Sequence, residues 1–501
     1  MKPNSPISLQ EASVMTHEGR IAVMSFLEEL EEKYQVESWE LEGVQIWPLL
    51  KRMTFFRKRR EQSPVSLPKP SLAQRGINKL KRLAKANYWT ALLKLRTKKW
   101  EKVDFVFSGN FNHRVIWKES AFNRYFDPIM DFLEQEKREK SIFFEYGPKN
   151  DASYYNAERI VFLADLLPYF KMYHKQKTFS ITQYQELQVC LADIENTLGL
   201  PIGDLQTRLG TTLNKILMWK SLWVDLLQRL QPKGVLGLCY YNAAMYGFNL
   251  AADELGIPSV DMQHGGQGPL HAAYHFKSFP AGGYNLLPNY FWCWDQASAR
   301  NIETWTGDSP RHQVILGGNP WIDHQKEMNT ATDFFPENKR IILFTLQTGV
   351  SPFLPPFLIE AIKNSSAEYA WWLRLHPRMK PTEVIEIRQV LELEGITDRV
   401  EVDQATQMPL PLILSHCFAH LSHSSGSIGE AAMVGVPRNV IIGGIGQSTY
   451  QHLIDEGKAS YFDQEKQEDF WEFLNTVKPL NGLRETDEAL TDYRNAWRQI
   501  F

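Results

Sequence analysis

The stretch that decides the fold is His420-Leu-Ser-His-Ser-Ser-Gly-Ser-Ile-Gly-Glu-Ala-Ala-Met-Val-Gly-Val-Pro437. Residues 417–422 predict an apolar strand, a polar Ser-Ser-Gly turn follows at 424–426, and small residues then open a short helix. A helix start presents free backbone N–H groups and the positive end of the helix dipole. The turn is therefore a candidate anion site, best suited to phosphate.

Glu430 lies one turn into the predicted helix, beside the same opening. A carboxylate at this place can accept hydrogen bonds from both hydroxyls of a ribose. Phosphate and ribose together indicate a nucleotide. The alternative is a capping box, in which Ser427 caps the helix and Glu430 reaches back to it, and the turn alone favours that alternative.

Two further polar sites follow predicted strands elsewhere in the chain. Arg374-Leu-His-Pro377 ends one apolar run, and Asp261-Met-Gln-His-Gly265 ends another. Open α/β sheets bind ligands at the carboxyl ends of their strands. Polar sites after three strands therefore favour a ligand site over three unrelated turns.

The composition is that of an ordinary globular protein. The chain has 501 residues, of which 43% are hydrophobic and 23% charged, with a net charge of -3. This length predicts two or three domains. The four cysteines occur singly and lack zinc-site spacing, the N-terminus lacks the apolar core of a signal peptide, and no run reads as a membrane span. We expect a cytoplasmic protein with reduced thiols.

Strands alternate with helices in two series, which predicts two parallel sheets. After the first strand of the first series we expect a helix over 122–137, and residues 155–230 are predicted to be largely helical. The expected units are an N-terminal helical appendage (1–50), a basic amphipathic segment (51–103), a first Rossmann-like domain (104–325), a second Rossmann-like domain (326–480) and a terminal helix crossing back to the first (481–501). Two such lobes enclose a central cleft.

The segment from 51 to 102 carries seventeen Lys or Arg residues against only Glu61 and Glu101. Apolar residues recur near helical spacing between 77 and 95, which is typical of a basic amphipathic helix on an anionic membrane surface. A solvated helix packed on the next domain is the alternative. Nucleic-acid binding is not expected, because the rest of the chain offsets the basic charge and carries no nucleic-acid motif.

The motifs resemble those of GT-B glycosyltransferases, and more narrowly the bacterial capsule and surface-polysaccharide transferases, over about residues 104–475. Arg374-Leu-His-Pro377 is similar to the His-Pro motif of bacterial sialyl- and Kdo-type transferases, and His423-Ser-Ser425 is similar to their paired-serine motif. In those families the two motifs hold the nucleotide phosphate of a CMP-sugar. The resemblance implies an α/β GT-B fold and that phosphate-binding role for His376 and the two serines.

The sequence departs from the sialyltransferases in one respect, since its predicted first lobe has no acidic Asp/Glu-Asp/Glu-Gly triplet to supply a base. The order of Gln263-His-Gly265, His-Pro and Ser-Ser also resembles the CDP-glycerol glycerophosphotransferases, in which a similar histidine is thought to act as base. This second resemblance favours His264 over the neighbouring His271 and His275. An imidazole has a suitable pKa for the task.

The candidate site residues form three groups. They are the catalytic pair His264 and His376; the donor-binding residues Arg374, His376, Ser424, Ser425, Gly426, Glu430 and Gln347; and the acceptor-side residues Asn110 and His113. A buried structural ion pair is the alternative for Arg374, helix capping for Gln347, and an ordinary turn for the acceptor-side pair. No metal or cofactor is expected, because the sequence has no Asp-x-Asp pair of the kind that holds Mg²⁺ in other transferases.

These expectations combine into a metal-independent glycosyltransferase with peripheral contact to the inner face of the membrane. Its donor is a nucleotide-sugar, CMP-linked by preference, and its acceptor a growing surface polysaccharide or lipid-linked saccharide. The alternatives are a UDP-sugar 2-epimerase, a CDP-glycerol-type phosphotransferase and a binding protein that has lost its chemistry.

Overall fold

The computed structural model describes residues 9, 16–57, 101–174, 176–328, 334–464, 469–480 and 492–501. The basic amphipathic helix predicted between 77 and 95 lies outside these ranges. So does the expected beginning of the last helix at 485.

The described residues form two parallel sheets and two small antiparallel hairpins. The strands are, in chain order, β1 (Glu40–Leu41), β2 (Val44–Gln45), β3 (Phe105–Asn110), β4 (Arg114–Trp117), β5 (Ser120–Asn123), β6 (Ser141–Tyr146), β7 (Ile160–Phe162), β8 (Gly234–Leu238), β9 (Ser259–Met262), β10 (Tyr290–Cys293), β11 (Gln313–Leu316), β12 (Arg340–Thr345), β13 (Tyr369–Arg374), β14 (Val400–Glu401), β15 (Cys417–Ser422), β16 (Asn439–Ile441) and β17 (Ser460–Tyr461). The first lobe holds the sheet β11-β10-β9-β8-β3-β6-β7 and the second lobe the sheet β14-β13-β12-β15-β16-β17. Both are fully parallel, which confirms the predicted two-lobed α/β architecture of the GT-B type.

Helices cover both sheets. They are α1 (His17–Lys33), α2 (Trp47–Arg57), α3 (Asp127–Phe132), α4 (Leu167–Tyr173), α5 (Gln185–Leu198), α6 (Ile202–Leu230), α7 (Ala243–Glu254), α8 (Gln296–Thr306), α9 (Pro320–Met328), α10 (Pro356–Lys363), α11 (Pro381–Leu393), α12 (Asp403–Gln407), α13 (Leu410–Leu414), α14 (Ser427–Val434), α15 (Gly444–Thr449), α16 (Gln451–Asp455), α17 (Phe470–Thr476) and α18 (Tyr493–Ile500). The central strands β8 and β9 are buried along their whole length. Strands covered on both faces favour continuous apolar runs over alternation, and these runs made the strands recognisable.

The predicted helix over 122–137 is wrong at its beginning. Residues 114–123 form the hairpin β4-β5, and the helix begins at Asp127. The turn of the hairpin places Lys118 and Glu119 at positive φ, 45° and 63°. Such a turn is usually signalled by Asn-Gly, and Lys-Glu gives no such signal. The short edge strand β7 was also missed, within the stretch predicted to be helical.

The N-terminal residues 16–57 form a unit that packs on the first lobe. A buried carboxylate, Glu31, ties its two helices together. Glu31 Oε1 accepts from Lys51 Nζ at 2.8 Å and from Trp47 Nε1 at 2.6 Å, and Glu31 Oε2 accepts from the backbone N–H of Lys277 at 2.6 Å. Lys51 also donates to the carbonyl of His275 at 2.7 Å. Burial lowers the pKa of Lys51, while the charge of Glu31 opposes that effect.

The last helix, α18, returns to the first lobe. The Trp497 ring lies edge-on against Phe105 at 4.6 Å between ring centroids, and Phe501 lies 4.8 Å from the same ring. The chain therefore leaves the second lobe and ends against the first strand of the first sheet.

We expect Glu31→Ala to destabilise the protein strongly, because it leaves the Lys51 ammonium buried without its partner. Breaking a buried ion pair costs about 3–5 kcal/mol. The neighbouring Glu32 is 60% exposed and lies 3.6 Å from Lys277 Nζ, so Glu32→Ala is the matched control, with a change within about 0.5 kcal/mol. Thermal unfolding of the two variants measures the difference, and equal midpoints would contradict the role given to Glu31.

Candidate active site between the lobes

The candidate site lies where the carboxyl ends of the two sheets face each other. In the first lobe, Asn110 ends β3 and His264 follows β9; in the second, Gln347 follows β12, His376 follows β13 and Ser424 follows β15. The lobes come close at this level. A Cβ on Gly266 of the first lobe would lie 2.5 Å from Thr449 Cγ2 of the second, so only glycine allows this approach.

The Ser-Ser-Gly turn has the polar groups that the sequence predicts. The backbone N–H and the hydroxyl of Ser424 both donate to Gln347 Oε1, at 2.6 and 3.2 Å. Ser425 Oγ accepts from the N–H of Ser427 at 3.3 Å, which leaves the Ser425 hydroxyl proton able to donate. A Cβ on Gly426 would meet no atom within 4 Å, so the helix start is open.

The alternative of a capping box between Ser427 and Glu430 is not observed. Ser427 is the first residue of α14, and its hydroxyl lies 2.8 Å from Thr345 Oγ1. Glu430 therefore does not cap the helix, although it is only 3% exposed. This outcome removes the main structural explanation for a carboxylate at that position.

A buried hydrogen-bond chain fixes the position of α14. His420 Nδ1 donates to Asn439 Oδ1 at 2.9 Å, and its Nε2 lies 3.1 Å from Thr345 Oγ1, which in turn contacts Ser427. Asn439 Nδ2 donates to the carbonyl of Ile428 at 2.9 Å. The strands β12, β15 and β16 and the start of α14 are thereby held together, which orients the turn.

Close backbone packing also holds the Ser-Ser-Gly turn in position. A Cβ on Gly446 would lie 1.8 Å from the carbonyl oxygen of His423. The ring of His423 packs edge-on against Phe344 at 5.8 Å between centroids. His423 therefore belongs to the support of the paired serines.

Glu430 faces the first lobe. Its Oε1 lies 3.5 Å from Arg124 Nη1, and its Oε2 has no hydrogen-bond partner among the described residues. Burial raises the pKa of Glu430, and the charges of Arg124 and Arg374 oppose that shift. A buried carboxylate oxygen without a partner is costly, so this oxygen is a place where a ligand hydroxyl would be stabilising.

The two predicted site residues of the Arg374-Leu-His-Pro377 stretch, His376 and Arg374, have different environments. His376 is half-buried, and its Nδ1 accepts from the N–H of Arg378 at 3.1 Å, which leaves Nε2–H as the donor. Burial, followed by the charges of Arg378 and Arg124, lowers the pKa of His376 to about 4. At neutral pH His376 is therefore a neutral hydrogen-bond donor.

Arg374 has a structural role in the second lobe. Its Nη1 donates to the carbonyls of Ala405 and Met408, both at 2.6 Å. These partners are carbonyls, so the buried ion pair is not what is observed, while the charge of Arg374 acts on Glu430 and its donor-binding role stays a prediction. Burial lowers its pKa to about 10.

The first lobe brings His113 and His264 together, with ring centroids 5.8 Å apart. Asn110 donates to the carbonyl of Tyr146 at 3.0 Å and accepts from the N–H of Asn112 at 2.9 Å, so its side chain shapes the turn that carries His113. His264 Nε2 shares a hydrogen bond with the Tyr241 hydroxyl at 3.3 Å. The acceptor-side candidates and the base candidate thus share one surface of the cleft.

The three histidines of the 264–275 segment have separate environments. His275 Nε2 lies 3.1 Å from Glu28 of the N-terminal unit, away from the cleft. His271 packs against Tyr241 and Phe56, at 5.3 and 6.0 Å between centroids. Of the three, only His264 faces His113, which agrees with the preference given to it.

Two arginines set the electrostatics of the cleft. Burial lowers the pKa of His264 to about 4 and that of His113 well below its usual value, and the charges of Arg124 and Arg378 add to both shifts. The same two charges act on His376. A positive field from both lobes therefore converges on the imidazoles, and it would attract an anion.

Three contributors to this site, Arg124, Tyr241 and His420, were not predicted from the sequence. Arg124 fell inside the wrongly predicted helix, so no strand end pointed to it. His420 was predicted only as part of an apolar strand. Tyr241 lies in the turn after β8, and the strand-end rule that found His264 would also have found it.

The described residues contain no group of three or more His, Cys, Asp and Glu side chains able to hold a metal ion. Within the same ranges, no helix has the length and apolar character needed to cross a bilayer. The Asp-Glu-Gly triplet of the chain, at 455–457, lies in the second lobe, where Glu456 pairs with Arg300 at 2.9 Å.

Comparison with known proteins gives likenesses of fold. No protein-family model and no curated protein sequence matches the chain. Among solved structures, UDP-GlcNAc 2-epimerase from Neisseria meningitidis bound to UDP-GlcNAc is 17% identical with a TM-score of 0.44, covering 80% of this chain and 98% of that one. MnaA of S. aureus with UDP is 15% identical with a TM-score of 0.42, covering 80% and 95%. HepE of Anabaena with UDP is 12% identical with a TM-score of 0.41, covering 79% and 98%. These likenesses concern the fold alone, so the chemistry of this protein has to be argued from the site.

We expect His420 to make the second lobe acid-sensitive. Burial lowers the pKa of His420 to about 4, whereas an unfolded histidine titrates near 6.5. The unfolded state therefore binds the proton more readily, and stability falls as the pH drops from about 6.5 to 4, by about 3 kcal/mol for this group. His420→Asn should be less stable at pH 8 but lose less on acidification. Unfolding midpoints across this pH range test the expectation, and parallel curves for the two proteins would contradict it.

Proposed function

We propose that this protein is an enzyme acting on a nucleotide-sugar, and specifically a glycosyltransferase. The observation that carries the proposal is the opening of α14. Gly426 leaves the helix start free, and one turn later Glu430 has an oxygen without a partner among the described residues. A nucleotide supplies a partner for each of these groups, since its phosphate can bind at the helix start and its ribose hydroxyls can donate to the carboxylate.

The second lobe would stabilise the leaving nucleotide. Glycosyl transfer leaves negative charge on the donor phosphate, and fixed donors stabilise that charge in the transition state. The Ser425 hydroxyl and the Nε2–H of His376 are such donors, and Arg378 contributes positive charge nearby. Gln347 orients Ser424 through two hydrogen bonds, so it acts through the turn.

The first lobe would bind the acceptor and supply the base. With its pKa lowered to about 4, His264 is neutral at physiological pH and can accept a proton from an acceptor hydroxyl. A pKa near 4 makes it a weak base. The phosphate of a bound donor would offset Arg124 and Arg378 and raise that pKa, so His264 becomes a better base when the donor is in place.

The donor and the acceptor are proposed from the family resemblance. A CMP-sugar is the preferred donor, and a growing surface polysaccharide or a lipid-linked saccharide is the acceptor. UDP is the main rival nucleotide, since fold-related structures contain it. Peripheral contact with an anionic membrane through segment 51–103, at the cytoplasmic face, completes the proposal.

An epimerase is the second candidate, and one observation favours it. Two neutral imidazoles, His113 and His264, lie 5.8 Å apart in the cleft. Inverting a sugar carbon needs one group to remove a proton and another to return it from the opposite face of the sugar, so one of these imidazoles would act together with a group of the facing lobe. Incubation with a nucleotide-sugar alone separates the candidates, because an epimerase changes the sugar without an acceptor, whereas a transferase needs one.

We expect the double variant Ser424→Ala/Ser425→Ala to bind nucleotide more weakly. Each hydrogen bond to a charged phosphate contributes about 1.5–3 kcal/mol, so the loss should be roughly tenfold to a thousandfold or more. Calorimetry with CMP, CDP and UDP identifies the nucleotide and measures the effect. Ser365→Ala, which removes a serine hydroxyl bonded to the Ile362 carbonyl elsewhere in the same lobe, is the control. Unchanged affinity in a folded double variant would exclude the turn from the site.

We expect His264→Gln to cut turnover by about a hundredfold to ten-thousandfold while nucleotide affinity stays within a few fold. The reason is that His264 is assigned to the acceptor. His275→Gln, on the same segment but paired with Glu28, should keep its activity. Turnover is followed as release of free nucleotide in the presence of acceptor. If both variants behave alike, His264 is not the base.

A further inference from the structure

Arg124 is placed at the inter-lobe cleft by an unusually well-fixed turn. The Asn123 side chain accepts from the N–H groups of Tyr125 and Phe126, both at 3.1 Å, and Asp127 Oδ2 accepts from the N–H of Asn123 at 2.6 Å. Asn123 and Asp127 are buried. The turn therefore has little freedom, and it presents Arg124 toward the second lobe.

The Arg124 guanidinium is held between two different neighbours. It lies over the Tyr125 ring at 4.8 Å, and its Nη1 is 3.5 Å from Glu430 Oε1. A separation of 3.5 Å is longer than a good charge-assisted hydrogen bond, which is near 2.8 Å. Glu430 has an oxygen without a partner among the described residues, while the Arg124 side chain is still 26% exposed. The contact between Arg124 and Glu430 therefore does not fully satisfy the hydrogen-bonding capacity of either side chain.

We propose that nucleotide binding exchanges these partners, so that Arg124 of the first lobe contacts the donor phosphate while Glu430 of the second lobe takes the ribose hydroxyls. This inference rests on the proposed function and adds a residue of the first lobe to the donor site. The phosphate is the anion that replaces the Glu430 carboxylate beside Arg124. Each group thereby obtains a closer partner than the 3.5 Å contact between them provides.

The electrostatics of the cleft agree with this exchange. Arg124 and Arg378 act together on imidazoles of both lobes, His113 and His264 in the first and His376 in the second. Two cations on opposite lobes therefore face one region. A phosphate placed there would draw the lobes together, and the exchange would couple donor binding to closure of the cleft.

The test compares each nucleotide with its nucleoside, because only the nucleotide carries phosphate. Affinities of CMP and UDP, and of cytidine and uridine, are measured by calorimetry for wild type, Arg124→Gln and Glu430→Gln. Arg124→Gln should weaken nucleotide binding about 10- to 100-fold and leave nucleoside binding within about threefold. Glu430→Gln should weaken both, because it acts on the ribose.

Arg300→Gln is the matched control. Arg300 of α8 also pairs across the lobes, with Glu456 at 2.9 Å, but it is 58% exposed at the rim. It should leave every affinity unchanged. If Arg300→Gln weakens nucleotide binding as much as Arg124→Gln does, the effect comes from joining the lobes, and the exchange is overturned.

Other outcomes separate this inference from the proposed function. The exchange is overturned if the wild-type protein binds a nucleotide and Arg124→Gln leaves that affinity unchanged. It is also overturned if Arg124→Gln lowers the affinities for nucleotide and nucleoside equally. In both cases the proposed function still stands. Failure of the wild-type protein to bind any of the four compounds overturns the proposed function, and the exchange with it. Circular dichroism of each variant shows that the fold is retained.

Discussion

The buried carboxylate of Glu430 is the constraint on which the geometry of the site depends. Taking a carboxylate out of water is costly unless charge and hydrogen bonds compensate it. Here the nearest compensating charge, Arg124, comes from the other lobe at 3.5 Å. The second lobe therefore carries a group that its own residues leave incompletely paired, and the pairing favours a close approach of the two sheets.

Hydrogen-bond and packing constraints elsewhere keep that group in place. The chain from Asn439 through His420 and Thr345 to Ser427 fixes the start of α14, and hence the direction of Glu430 one turn later. Such a network is strong when every member is satisfied and costly when one is lost. Because His420 is fully buried and neutral within it, the same network that orients the site also ties its stability to pH.

Much of the fold could be predicted from the sequence, for a physical reason. Parallel strands covered by helices are continuous apolar runs, so β15 was predicted with the bounds that the structure shows. The hairpin β4-β5 was missed because its turn has no glycine or asparagine. Arg124 was missed with it.

The strand-end rule brought His264, His376 and the paired serines to one cleft, but partners from different lobes have no spacing in sequence that reveals them. The pKa of His376 is lowered by burial and then by the charges of Arg378 and Arg124, so it likewise depends on tertiary structure.

The N-terminal unit adds a further constraint on the cleft. Its core packs on the first lobe, yet α1 also contacts α15 of the second, where His17 hydrogen-bonds Ser448 and Arg20 donates to Thr449 at 3.4 Å. Thr449 is the residue that the first lobe approaches at Gly266. Any opening of the cleft at this level therefore has to separate the second lobe from the glycine turn and from α1 at the same time. At its other end, the unit places Phe56 against Tyr241, the hydrogen-bond partner of His264. One N-terminal segment thus contacts both α15 of the second lobe and the environment of the proposed base, which makes residues 16–57 part of the site's architecture.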